Sequence, residues 1–75
     1  MSDPLPAHQP AIDIVVPAHD EARTLDANIT HLHTVLSSSG VPWSWQLTIA
    51  ENASRDGTLD VARGLSCRLP GVRVL

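Results

Sequence analysis

Apolar residues in this 75-residue chain switch between two spacings, and each switch marks an element. The run AIDIVV (11–16) is β-branched with one polar interruption, which predicts a mostly buried strand. Pro17 is expected to stop it, because proline cannot donate to a sheet ladder. From Thr24 the period lengthens. Leu25, Ile29, Leu32 and Leu36 form one stripe of an amphipathic helix, with Thr24 as N-cap and Asp26 favourable in the first turn. SSSG (37–40) should end that helix, and Pro42 should prevent its resumption. WQLTIA (45–50) predicts a second strand, and Leu59, Ala62, Leu65 and Leu69 mark a second helix. Cys67 reads as a small apolar filler on that helix. Pro70-Gly71 breaks it, and VRVL (72–75) begins a third strand. The order β-α-β-α-β predicts an α/β fold with a parallel sheet and right-handed crossovers.

Residues 1–10, MSDPLPAHQP, carry three prolines and no periodicity, and are expected to be a disordered Pro-rich head before a folded segment, 11–75. A hydrophobic content of 43% is globular rather than disordered composition, and the formal charge of −3 argues against nucleic acid as a partner. All five basic residues are Arg, so no mechanism that needs a lysine can reside in these residues. A single cysteine excludes an intramolecular disulfide and a Cys-based zinc site. Neither a leader pattern nor an apolar run near the roughly 20 residues of a membrane span is visible, so a cytoplasmic chain is expected.

Two polar loops follow the first two strands: PAHDEAR (17–23) and ENASRDGT (51–58). In open α/β sheets ligands bind beyond the carboxyl ends of the strands, so both loops should face one crevice. A dinucleotide fingerprint is excluded because PAHDEA has no glycine, and a P-loop because there is no lysine. Asn52, Ser54, Asp56 and Gly57 imitate the start of a calcium loop, but Arg63 stands where a bidentate Glu is required. His31 and His33 lie two apart on a helix and diverge, which suits surface or boundary residues better than a metal pair. What remains is a set of acceptors with a few donors: His19, Asp20, Glu21, Glu51, Asn52, Ser54 and Asp56. Carboxylates and amides of this kind suit the edge of a nucleobase and the hydroxyls of a ribose.

Taken together, IDIVVPAHDEARTL resembles the opening strand and loop of family 2 glycosyltransferases, commonly V-V-I-P-x-Y-N-E-x-x-x-L, and IAENASRDGT resembles the family's V-D-[DN]-x-S-x-D-G-T. The two occur in the expected order with one helix between them, and the likeness runs from about Ile12 to Leu75. It implies the N-terminal part of a GT-A fold, a partial Rossmann-like parallel sheet. Carried over by position, Pro17 and His19 would line the base pocket, with His19 in place of the usual Tyr. Asp20 replaces the usual Asn, and Glu21 matches the family's Glu near the nucleotide. Glu51 and Asn52 correspond to the acidic pair that contacts base and ribose, with Glu51 one methylene longer than the usual Asp. Ser54, Asp56, Gly57 and Thr58 match the rest of the motif and should shape the turn into the second helix, Gly57 turning the chain.

The same resemblance implies a nucleotide-diphosphate sugar as donor and Mg²⁺ or Mn²⁺ in the complete enzyme. The closest style is that of dolichol- or polyprenyl-phosphate sugar transferases, which implies a polyprenyl-phosphate acceptor at the cytoplasmic membrane face. The family's D-x-D metal motif and its general base are not among these 75 residues. No catalytic residue is therefore expected in this chain, which reads as an N-terminal fragment. Two alternatives stand beside this reading: a catalytically inactive nucleotide-binding remnant, and a small α/β interaction module.

Overall fold

A computed structural model describes residues 11–40 and 43–75. The expected head, 1–10, and Pro42 lie outside the described residues. The element order is β1 (Ile12–Ala18), α1 (Leu25–Ser38), β2 (Trp45–Glu51), α2 (Thr58–Arg68) and β3 (Val72–Val74). The three strands form a parallel sheet in the order β1-β2-β3. The fold is therefore α/β, as the change of apolar period predicts, and it is compatible with a partial Rossmann-like arrangement. Among the described residues, no helix is long and apolar enough to cross a membrane.

Both helices lie on one face of the sheet. Leu47, Ile49, Ala18 and Val72 form a single core with Leu25 and Ile29 of α1 and Ala62 and Leu65 of α2, and Ile14, Val16 and Val74 pack against it. The opposite face carries the alternate strand positions Asp13, Val15 and Pro17 of β1, Gln46, Thr48 and Ala50 of β2, and Arg73 of β3. Among the described residues no helix or strand covers it, and Val15 is 56% exposed there. Thr48, at the centre, is nevertheless buried. Its hydroxyl donates to Asp13 Oδ1 at 2.6 Å and accepts from Arg73 Nε at 2.9 Å, and Arg73 Nη2 closes on Asp13 Oδ2 at 3.3 Å. A polar bridge across all three strands thus roofs the middle of a face that a parallel sheet ordinarily hides under helices.

Pro17 does not stop β1; the strand runs on to Ala18, with Pro17 beside Ala50. The reason is the orientation of the ladder. The amide of Ile12 donates to the Ser44 carbonyl and the Ala18 carbonyl accepts from Asn52, so even-numbered residues of β1 face β2. Odd-numbered residues turn their backbone groups to the outer edge, where the missing N–H of Pro17 breaks no ladder bond.

Helix α1 spans the predicted stripe, but the Thr24 side chain makes no capping bond. Instead, the amides of Thr24 and Leu25 both donate to the carbonyl of Glu21. At the other end the Ser39 hydroxyl bonds back to the Leu36 carbonyl, and Gly40, at φ +70°, takes the left-handed conformation that ends the helix. Cys67 is exposed, not a core filler. It sits two residues beyond buried Leu65, hence on the opposite side of α2. At the bottom of the sheet His33 of α1 donates from Nε2 to the Pro70 carbonyl at 2.8 Å and meets Trp45 edge to face, the ring centroids 5.3 Å apart.

Candidate functional site

Parallel pairing sets Ala18 directly beside Glu51, so the two loops leave the same end of the sheet side by side. They are joined by hydrogen bonds along most of their length. Three consecutive amides of the first loop each meet a side-chain oxygen of the second: Asp20 N–H meets Ser54 Oγ at 3.0 Å, Glu21 N–H meets Thr58 Oγ1 at 2.8 Å, and Ala22 N–H meets Asp56 Oδ2 at 3.2 Å. In return, Arg55 N–H donates to Asp20 Oδ1 at 2.8 Å, and His19 Nδ1 donates to the Asn52 carbonyl at 2.6 Å. Asn52 N–H continues the sheet ladder onto the Ala18 carbonyl at 2.9 Å.

Successive amides just before a helix are a natural seat for an anion. Here that seat is taken from within, by the Asp56 carboxylate and two hydroxyls. Asp56 also accepts from the amide of Thr58 at 2.9 Å and from the Thr58 hydroxyl. The Thr58 hydroxyl, with the amides of Thr58 and Ala22, holds the Asp56 carboxyl below its ordinary value. Glu51 turns onto its own loop, accepting the Ser54 amide at 2.6 Å. The hydroxyl and amide of Ser54 keep the Glu51 carboxyl low as well. His19 is shifted the other way, upward, chiefly by the Asn52 carbonyl and then by the acids around it, of which Asp20 lies 3.3 Å from Nε2.

Of the residues that the sequence singles out, Asp20, Ser54, His19 and one oxygen of Glu51 are therefore engaged in holding the loops. Among the described residues the side chains of Glu21 and Asn52 make no hydrogen bond, Glu21 half-buried and Asn52 exposed at the rim. Pro17 stands exposed at the end of β1, on the face away from the helices. Asp56 and Thr58 do shape the turn into α2. Gly57 does not turn the chain through a left-handed conformation, since its φ is −80°. The residues that do are Asp20 at φ +51° and Ala53 at φ +46°. Asp20 suits this region, whereas nothing in the letter Ala53 signals it. No enclosed pocket forms among the described residues, and no three His, Cys, Asp or Glu side chains converge as a metal site.

Among the described residues the site thus offers one unpartnered carboxylate and one unpartnered carboxamide, on a rim whose amides at Asp20, Glu21, Ala22, Ser54 and Arg55 are already engaged. Such a rim can accept from hydroxyls and pair with an amide-like edge, while the three consecutive amides of Asp20, Glu21 and Ala22 are taken by side chains of the second loop rather than left for a phosphate. Searches of family models, curated proteins and solved structures found no match to the chain.

Proposed function

We propose that residues 11–75 are the nucleotide-binding half of a family 2 glycosyltransferase with a GT-A fold. The chain would hold the base and ribose of a nucleotide-diphosphate sugar while residues outside it transfer the sugar. Support comes first from the two motifs and their spacing. The observation that carries the reading is the pairing of Ala18 with Glu51, which brings both motifs to one end of the sheet, where among the described residues the side chains of Glu21 and Asn52 make no hydrogen bond. A carboxylate there accepts ribose hydroxyls, and a carboxamide both donates to and accepts from a base edge.

The divalent cation of the complete enzyme does not fit here. Apart from Glu21, the two loops spend their carboxylates on amides, hydroxyls and an imidazole; no three such ligands converge among the described residues, and no D-x-D triplet is present. Neutralising the diphosphate and activating the acceptor, a polyprenyl phosphate at the membrane face in this proposal, belong to other residues of the complete enzyme.

A second reading, a small α/β interaction module or an inactive remnant, is favoured by one observation: the loops saturate one another and enclose no pocket. Titrating the full chain with uridine and guanosine diphosphates while recording backbone NMR shifts separates the two. Saturable shifts confined to Pro17–Arg23 neighbours and Glu51–Ser54 neighbours are expected, and Glu21→Ala and Asn52→Ala should abolish them. A well-dispersed spectrum indifferent to every nucleotide would overturn the proposal in favour of the second reading.

A further inference from the structure

We propose that His19 is a pH-operated latch at the meeting of the two loops: its imidazolium bridges Asn52 and Asp20, and loss of the proton releases Asp20 and loosens the loops at Asp20 and Arg55. The argument is one of donors and acceptors. Nδ1 lies 2.6 Å from the Asn52 carbonyl oxygen, and Nε2 lies 3.3 Å from Asp20 Oδ2. A carbonyl and a carboxylate can only accept, so only the doubly protonated ring satisfies both. The neutral ring keeps one donor. If that donor stays on Asn52, the lone pair of Nε2 is turned at a carboxylate, and Asp20 is repelled instead of held.

The charged groups facing the ring are all acids: Asp20 on its own loop, Glu51 at the end of β2 and Asp56 on the opposite loop. Arg55 meets this cluster through its backbone amide, on Asp20 Oδ1. The surroundings therefore favour the cation, in keeping with the upward displacement of His19 from its ordinary 6.5. A raised value in the folded state places the latch fully closed below the ordinary value and opens it as pH rises through the folded one. Asp20 makes the opening consequential. It sits at φ +51°, and its carboxylate ties Arg55, so its release loosens both the left-handed turn of the first loop and the second loop at Arg55.

Regulation of ligand binding by this latch rests on the nucleotide reading above; the latch itself does not. The test is an imidazole ¹⁵N titration of the full chain together with amide exchange, from about pH 5.5 to about pH 8.5. His19 should titrate above its ordinary 6.5, and protection of the Asp20 and Arg55 amides should fall by roughly fivefold or more across its transition, beyond the intrinsic change, while Leu47 and Val72 keep theirs. In His19→Gln that step should vanish. A His19 value at or below 6.5, or flat protection at Asp20 and Arg55, overturns the latch, and the wild-type measurement needs no variant to fold. Adding uridine diphosphate at both pH values keeps the two ideas apart. A protection step without nucleotide shifts sinks the nucleotide reading alone, and shifts without a step sink the latch alone.

Discussion

The amide of Glu21 donates to the hydroxyl of Thr58 across 2.8 Å, and Thr58 is fully shielded from solvent. One buried hydroxyl thereby fixes the backbone of the residue whose carboxylate faces the rim. Replacing Thr58 by Val should leave the Glu21 amide without a partner, remove one of the two hydrogen bonds to Asp56 Oδ1, and cost about 1–3 kcal/mol. Thr58→Ser, which keeps the oxygen, should cost well under half of that. Urea denaturation followed by tryptophan fluorescence measures both, and equal losses in the two variants would mean that the methyl group, not the hydroxyl, is what matters.

Ala53 adopts φ +46° with a β-carbon that this region disfavours. The strain is about 1–2 kcal/mol, against a glycine entropy cost of about 0.5–1 kcal/mol. Ala53→Gly is therefore expected to stabilise the chain by up to about 1.5 kcal/mol, seen as a higher denaturation midpoint at unchanged slope. A lower midpoint would show that the loop does not hold the left-handed turn in solution.

Acid should unfold the protein through three carboxylates. Thr48 beside Asp13, Ser54 beside Glu51 and Thr58 beside Asp56 each depress the folded value below the ordinary 3.8 or 4.5. Depressed carboxylates contribute stability that is complete above the ordinary values and is lost as pH falls through the folded ones. Circular dichroism between about pH 6 and about pH 2.5 should show a flat region and then a decline below the ordinary values. Asp56→Asn should make that decline shallower; an unchanged slope would remove Asp56 from this role.

Ile49 and Val15 report on opposite faces of the sheet, one fully buried and the other 56% exposed. Ile49→Ala should cost about 2–5 kcal/mol, enough to unfold much of so small a domain. Val15→Ala should cost under about 1 kcal/mol. Comparable losses at the two positions would mean that something covers the polar face in solution.

The order of elements was legible because the apolar period alone separates strands from helices. The burial of β1 was not, since AIDIVV reads as a mostly buried strand whereas Ile12 and Val15 are exposed and only alternate positions face the helices. The meeting of the two loops was legible too, as a consequence of parallel pairing. What was not legible depends on tertiary neighbours. Thr24 has the letter of a cap, but nothing nearby in sequence says that the Glu21 carbonyl will take the first amides of α1. Asp13, Thr48 and Arg73 are far apart in the chain, and become a bridge only once the register places Val15, Thr48 and Arg73 in one row. The polar residues of the rim were legible as a cluster. Their division into those that tie loops and those that face outward required coordinates.

Pro17 has a consequence for how the sheet can grow. A strand approaching the outer edge of β1 would find amides at Asp13 and Val15 and none at Pro17, so pairing fails at the corner next to the loops. Addition from another chain is thereby diverted to β3 or to the first half of β1. The residue that does not end its own strand ends the sheet on that side, and it keeps the rim carrying Glu21 and Asn52 from being overlaid by a neighbour.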